Sequence, residues 1–542
     1  MPDRPRRDEP VTIPQGHTLE LHVGDRGQVL GLLCFGLIIA TYWIVRSGGL
    51  WADNDSAFMA NAIRTVARDG RIVPNAAEVY ANGYGYQVLS AAVLAFSGIS
   101  VPTLQQFIYP LLSAFVVLPA WAAYRGLLGS ATSATVGTLI LFLIPGYLFT
   151  LLRGSHERLD RVFIFAILWL LVRSARTGQR PEVSAIHAGL IAVMGYALVA
   201  TNDLFGMSMF AAMAIALGGA LVLQKGPTNT RVAAMSIVRD SRWVTAAGFV
   251  ALAIFMLFIY EPAGHSLRQL LQVPTSMITN LLREAPAAPA GPGPADGDPL
   301  AGIVVRWIHP AVYFLLSLGE YLLIVGSALA WLRLGWLLFR HRMAAKFGPL
   351  FLWLLYAAFA VQFGAAVFSE GASAIADNLQ YRSFTVFALV AAPMLAHGLG
   401  AFRLAEWPKP LLRTGLAFMV VAALFKATNE PLVGNNWTFY TGPELAALEW
   451  ADANQRATFT WVGPDERLSA AYGVAAGVTE NMNRWAFRAP EPIVRAFLIS
   501  DGVRTQSARL GLPLPAVDPH NRVYDNGSVQ LYRTRAVAPF QR

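Results

Sequence analysis

The chain alternates between long apolar blocks and short polar loops. The clear blocks are 28–46, 103–123, 132–150, 159–174, 184–201, 203–223, 243–260, 309–333, 348–368, 382–401 and 411–427. Each is roughly 16 to 25 residues, the length an α-helix needs to cross the hydrocarbon core of a bilayer. β-Barrel strands are shorter and alternate in polarity, so the pattern excludes them. It predicts a mainly α, polytopic membrane protein with about 11 transmembrane helices. A twelfth run, Tyr86 to Val101, is short and holds Ser90, Ser97, Gly98 and Ser100.

Two other periodicities stand out. From Ser56 to Asp69, residues Phe58, Ala62, Ile63 and Val66 recur at helical spacing and Gly70 offers a C-cap, which predicts an amphipathic helix lying flat on the membrane. Beyond residue 428 the long apolar blocks stop. There ELAALEWADAN (444–454) reads as a helix, TFTWVG (458–463) and SVQLYR (528–533) as strands, and YDNG (524–527) as a turn before the second strand. The expected organisation is an N-terminal tail (1–27), a membrane domain (28–427) and a small α/β domain (428–542). Within the membrane domain lie a first loop at 47–102 and a loop at 261–308, whose stretch EAPAAPAGPGPADGDP (284–299) is low in complexity and expected to be mobile.

Charge decides how the blocks are threaded. If 86–101 does not cross and the Arg-rich N-terminus is cytoplasmic, Arg125 and the loops 173–180, 225–242, 333–346 and 403–413, with their Arg and Lys residues, all lie inside. If 86–101 crosses, every one of them moves outside. The segment is therefore expected to be interfacial or re-entrant. This threading puts the loop 47–102, the turn 151–161, the loop 261–308 and the C-terminal domain on the outer face. The expected location is the cell (plasma) membrane, multi-pass, with the N-terminus cytoplasmic and the C-terminal domain extracytoplasmic.

Composition agrees: 55% of the 542 residues are hydrophobic and 14% charged, where soluble domains are nearer about a quarter charged. The net charge of +9 is spread over short loops and forms no basic stripe interleaved with aromatics, so nucleic acid is not an expected partner. The single cysteine, Cys34, rules out an intramolecular disulfide. The first block lacks a small-x-small cleavage site after it and reads as a retained helix. The inner loops are short, and no G-x-G-x-x-G after a strand or Walker A pattern is present. An enzyme of this kind would not draw its activated substrate from a soluble nucleotide.

The candidate chemistry gathers on the outer face. Asp53 and Asp55 open the surface helix. Asp55 can be only its cap, or a carboxylate kept ionised by the helix N-terminus and used as general base or metal ligand. The turn LLRGSHERLDRVF (151–163) crowds Arg153, His156, Glu157, Arg158, Asp160 and Arg161 between two apolar blocks. Its plain reading is an anchor for helix ends. Its functional reading uses Arg for phosphate and His and Glu for proton transfer or metal ligation. TND (201–203) is a tight turn in which Asn202 or Asp203 can cap the next helix or meet a substrate. SEGASAIADNLQYRS (369–383) brings Arg382, either an anchor or a contact to a lipid phosphate.

Five stretches resemble the C-type glycosyltransferases (GT-C), which include oligosaccharyltransferase catalytic subunits, protein mannosyltransferases and lipid A aminoarabinose transferases. They are DNDSAFMANAIRTVARDGRIVP, YGYQVLSAAVLAFSGIS, AAYRGLLG, LIPGYL and RGSHERLDR, in the order of a GT-C N-terminal half over residues 28–175. The C-terminal half matches only in helix number and an outer soluble tail. The resemblance implies a polyprenyl-phosphate sugar donor and a glycan, lipid or protein acceptor at the outer leaflet, among membrane lipids. It implies catalytic roles for Asp55, with Asp53, Glu157 and His156 beside it, and substrate binding by Arg153, Arg158, Asn202, Asp203 and Arg382. A divalent cation, Mg or Mn, would sit on Asp55 and Glu157. His156 stands where the family has an acidic residue, which weakens the case for metal. The tail also lacks the Trp-Trp-Asp-Tyr-Gly signature, so transfer to asparagine sequons is not supported. Two other classes stay open: a multi-helix transporter or flippase, and a non-catalytic scaffold for envelope assembly. Polar groups should converge at the outer interface in a transferase, at the midplane in a transporter, and nowhere in a scaffold.

Overall fold

The computed structural model describes residues 23–51, 54–73, 82–176, 181–226, 228–260, 309–340, 346–371, 379–400, 409–428, 440–454, 496–502 and 520–533, with a few isolated positions between them. Helix α1 is Val23–Ser47, α2 Asn54–Asp69 and α3 Gly85–Ser97. A long bent helix, α4, runs Val101–Leu128. Then come α5 (Ala131–Leu141), α6 (Pro145–Leu152), α7 (Glu157–Arg176), α8 (Pro181–Thr201), α9 (Asp203–Leu223) and α10 (Thr228–Ile254). The second half holds α11 (Pro310–Leu316), α12 (Leu318–Phe339), α13 (Phe347–Gly371), α14 (Leu379–Leu399) and α15 (Lys409–Thr428), followed by α16 (Gly442–Asn454).

Seven of these helices are long and apolar enough to cross a membrane: α1, α4, α9, α10 with its continuation to Ile259, α12, α13 and α14. The pair α5 and α6, bent by 78° at Pro145, makes an eighth candidate as one broken span. The other three blocks of the expected eleven form helices α7, α8 and α15, of 20, 21 and 20 residues. The disputed run 86–101 folds as the 13-residue α3, closed by Gly98 in the left-handed region. At about 1.5 Å per residue it is too short for a hydrocarbon core of about 30 Å. Ser100 then caps α4 by accepting from the Thr103 amide.

The bundle packs around one large apolar core. Tyr124 on α4, fully buried, donates its hydroxyl to the Leu389 carbonyl of α14 at 2.7 Å. Trp331 of α12 and Trp353 of α13 stack at 5.1 Å between centroids, each indole N–H bonding the other's carbonyl. A second core joins α2, α3 and the C-terminal region, with Ala57, Met59, Ile63 and Tyr86 packing beside Leu448, Leu498 and Leu531. The expected amphipathic helix is thus not free on the membrane: Ala62, Ile63 and Val66 of its expected apolar face are covered by protein, with Ala57, Met59 and Ala60, while Phe58 of that face is exposed. Tyr440 bonds the Trp51 carbonyl at 2.9 Å and packs edge-on against its ring.

The C-terminal region carries a three-stranded antiparallel sheet in the order β1-β3-β2, from β1 (Ala496–Ser500), β2 (Asn521–Asp525) and β3 (Val529–Arg533). The expected turn at 524–527 is present: Asp525 accepts from the Gly527 amide, Gly527 has φ +90°, and Asn526 accepts from Val529. The expected strand at 458–463 and the low-complexity stretch 284–299 lie outside the described residues.

Candidate functional site

The turn between α6 and α7 is the centre of the polar groups. A run of charges there would be expected to face solvent, yet all six ionisable side chains are buried. Burial is tolerated because each guanidinium finds carbonyl, carboxylate or aromatic partners. Arg153 donates to Glu157 Oε2 at 2.9 Å and lies over the Phe149 ring. Arg158 donates to the Leu152 carbonyl and sits over Tyr109. Arg161 donates to the Glu157 carbonyl at 2.6 Å and to Thr150 Oγ1 at 2.7 Å, between the rings of Tyr147 and Phe205. Asp160 is fully buried, and neither carboxylate oxygen has a hydrogen-bond partner among the described residues.

Glu157 lies just ahead of the apolar stretch of α7. Burial pushes its carboxyl up, but Arg153, Arg161 and, further off, Arg382 more than offset this and hold it at about 2. It is therefore an ionised partner of arginines. With Oε2 taken by Arg153 and further positive groups around it, Glu157 is poorly placed to ligate a dication, and no step below uses one. Among the described residues no group of three or more His, Cys, Asp or Glu side chains is placed to hold a metal ion.

Three other segments reach this turn. From the first loop, Ser56 Oγ accepts from the Gly154 amide at 3.0 Å. The approach is so close that a Cβ on Gly154 would lie 2.7 Å from that oxygen, so the position has room only for glycine. From α4, Gln105 donates to the Gly154 carbonyl. From the α8–α9 junction, Asn202 Nδ2 lies 2.6 Å from His156 Nε2, while Asn202 Oδ1 caps α9 through the Leu204 and Phe205 amides. The cap and the contact coexist in one side chain. Residues 82–84 clamp that junction, Asp203 donating its amide to the Asn82 carbonyl and Tyr84 its amide to Ala200.

The fourth segment belongs to the second half. Half-buried Arg382, at the start of α14, is near enough to act on the Glu157 charge. Its neighbour Tyr381 donates to the Gly146 carbonyl at 3.2 Å, at the start of α6. The Gly146 amide donates to Glu320 Oε1, and Glu320 Oε2 pairs with Lys426 at 2.7 Å. Lys426 also donates to Ser317 and lies over the Tyr313 ring. The helix that ends in Arg153 is thus held at its other end by α12, α14 and α15.

Of the residues expected from sequence, the structure brings together Arg153, His156, Glu157, Arg158, Asn202, Asp203 and Arg382 around one turn. Asp53 lies outside the described residues, and of Asp55 only the backbone, in the first turn of α2, is described. Asp55 is next in sequence to Ser56, and so its backbone adjoins the same turn. Ser56, Gln105, Tyr381, Glu320 and Lys426 were not foreseen. Glu320 had a signal: it is the one carboxylate in the apolar block 309–333.

No family model matches the chain, and no curated protein matches it. Solved structures do. The oligosaccharyltransferase of Archaeoglobus fulgidus in the apo form superposes with a TM-score of 0.51 at 13% identity, over 89% of this chain and 70% of that one. The Archaeoglobus fulgidus enzyme AglB, in complex with an inhibitory peptide and a dolichol-phosphate, gives 0.52 at 12%, over 90% and 71%. ArnT from Cupriavidus metallidurans covers 95% of this chain and 99% of its own, with a TM-score of 0.47 and 14% identity. At such identities the likeness is one of fold: the chain shares the fold of the Archaeoglobus fulgidus oligosaccharyltransferase.

Proposed function

We propose that the protein is a membrane glycosyltransferase that moves a sugar from a polyprenyl-phosphate-linked donor to an acceptor at the outer face of the membrane. The observation that carries this reading is the meeting of the first loop with the arginine-rich turn, through Ser56 and Gly154, at one end of a GT-C fold. The polar groups converge at helix ends, as a transferase requires, and not halfway along the helices, as a transporter would. The archaeal enzyme was captured with dolichol-phosphate and a peptide, which supports a lipid-phosphate donor here by analogy of fold.

In this reading the acceptor hydroxyl attacks the anomeric carbon, and the bond to the polyprenyl-phosphate oxygen breaks. Asp55 takes the proton or orients the hydroxyl. Arg153, Arg158 and Arg382 stabilise the charge that grows on the departing phosphate, their forked donors matching its oxygens. The test is Asp55→Asn, with transfer from a polyprenyl-phosphate sugar measured in proteoliposomes. Asn matches Asp in size and shape at this first-turn position, so expression is expected to hold. Loss of a general base is expected to cost a factor of about 100 to 10,000 in rate, and Asp53→Asn to cost less. A wild-type rate in Asp55→Asn would reduce Asp55 to a cap and overturn the assignment.

A further inference from the structure

Asn202 does two things with one planar amide. Its backbone is extended, with φ −156° and ψ 108°, and it stands immediately before α9. Its Oδ1 accepts the Leu204 amide at 3.1 Å and the Phe205 amide at 3.4 Å. Turning the amide over would set its NH₂ against two helix N–H groups and leave both without an acceptor, so the cap fixes which end is oxygen. The nitrogen end is then the one that lies 2.6 Å from His156 Nε2. A carboxamide NH₂ only donates. Nε2 must therefore present its lone pair, and the imidazole must carry its proton on Nδ1.

Neither partner has room to turn away. Both side chains are buried, at 2% exposure each. The His156 backbone is set by the Ser155 amide on the Arg153 carbonyl and the Leu159 amide on the His156 carbonyl. Asn202 is held by its own amide on Leu198 and by the Gly206 amide on its carbonyl. His156 Nδ1 lies 3.5 Å from Ser155 Oγ. The charged groups gathered round this turn are Arg153, Glu157, Arg158, Asp160, Arg161, Asp203 and Arg382.

We infer that Asn202 is a positioning residue for His156, holding the imidazole as an Nδ1–H donor with its Nε2 lone pair spent inside the protein. His156 then carries its proton on the nitrogen that faces Ser155, and Nε2 is not the base. The exclusion of Nε2 as base rests on the transferase reading, but the tautomer itself does not depend on sugar transfer.

The test is nuclear magnetic resonance of the full-length protein in nanodiscs at neutral pH, with its histidines labelled in ¹⁵N. The His156 signals, among nine histidines, are assigned by their loss in His156→Gln. Wild type is expected to show a protonated Nδ1 and an unprotonated Nε2. Asn202→Asp keeps the cap but replaces the donor by an acceptor, and is expected to move the proton to Nε2. Asn202→Ser keeps a capping oxygen without the donor, and is expected to lose the single tautomer. A wild-type His156 with a proton on Nε2 overturns the inference, and so does one tautomer shared by all three proteins. Should Asn202→Asp not fold, wild type and Asn202→Ser decide. Because no donor sugar is used, an inactive protein with the expected tautomer separates failure of the transferase reading from failure of this one.

Discussion

Two short turns in this protein are crowded with polar and charged residues, and they behave in opposite ways. The β2–β3 turn holds Asp525, Asn526 and Gly527, and its charged groups bond close by: Asp525 to the Gly527 amide and to Gln530, and Arg522 to Asp525, while Asn526 accepts from Val529 and donates to the Pro443 carbonyl of α16. It is exposed. The backbone amide of Gly527 is the main reason the Asp525 carboxyl stays below the usual carboxylate range. The α6–α7 turn is buried, and it draws its partners from α2, α4, α9 and α14. Charge density along the sequence does not separate the two. What separates them is burial: the charges of both turns are bonded close by, but only the α6–α7 turn is enclosed by distant segments, which reach it through Gly154 and His156.

The sharpest way to break this contrast is to remove one charge from each turn. Glu157→Gln leaves Arg153 buried without its carboxylate, and breaking such a pair costs about 3–5 kcal/mol. Its thermal midpoint in detergent should fall well below wild type, whereas Asp525→Asn should leave the midpoint where it is. Equal shifts would show that the buried turn is held no more tightly than the exposed one.

Glycine replacements come next. Gly154→Ala drives a methyl group against Ser56, an overpacking that costs about 1–3 kcal/mol, and it should separate the first loop from the turn and lower transfer as well. Gly527→Ala meets no neighbour but sits at φ +90°, so it should cost about 1 kcal/mol and spare transfer. Chemical denaturation and the transfer assay together distinguish the two.

A smaller effect is expected at Asp160. Neither oxygen of its buried carboxyl has a hydrogen-bond partner among the described residues, and a buried polar group left without one is costly. Asp160→Asn should therefore stay within about 1 kcal/mol of wild type, or exceed it. A large destabilisation would mean that the carboxylate is needed in its charged form.

The smallest effect is in pH. The Glu157 carboxyl is held at about 2 in the folded protein, below its value of about 4.3 when unfolded. Its stabilising share is present above the unfolded value and is lost as pH falls through the folded one. The stability gap between wild type and Glu157→Gln should be constant from pH 7 down to about 5 and narrow only below that. Closure between pH 7 and 6 would contradict the arginine cage.

Much of this was legible in the chain. The apolar blocks placed the helices, and the distribution of Arg and Lys separated 86–101 from the spanning segments; α3 proved too short to cross. The turn 153–161 stood out because Arg, His and Glu rarely crowd between two apolar blocks without reason. What periodicity could not convey was pairing over long distances. Ser56 reads as an ordinary residue opening a helix, and only folding brings it to Gly154, 98 residues on. Asn202 reads as a cap, which it is; its hold on His156 depends on how α8 and α9 pack against the turn. The apolar face of α2 was legible, but its covering was not, because the C-terminal region that packs there is hundreds of residues away.

The pair between Glu320 and Lys426 has a consequence in time. The two residues are 106 positions apart, and at about 5–20 residues per second the ribosome takes about 5–20 s to supply the second after the first. For that interval the carboxylate of α12, which holds the Gly146 amide, is without its ammonium. Both charges sit near helix ends, where a side chain can reach the water boundary while it waits. The support at the far end of α6 is therefore complete only once α15 has been made.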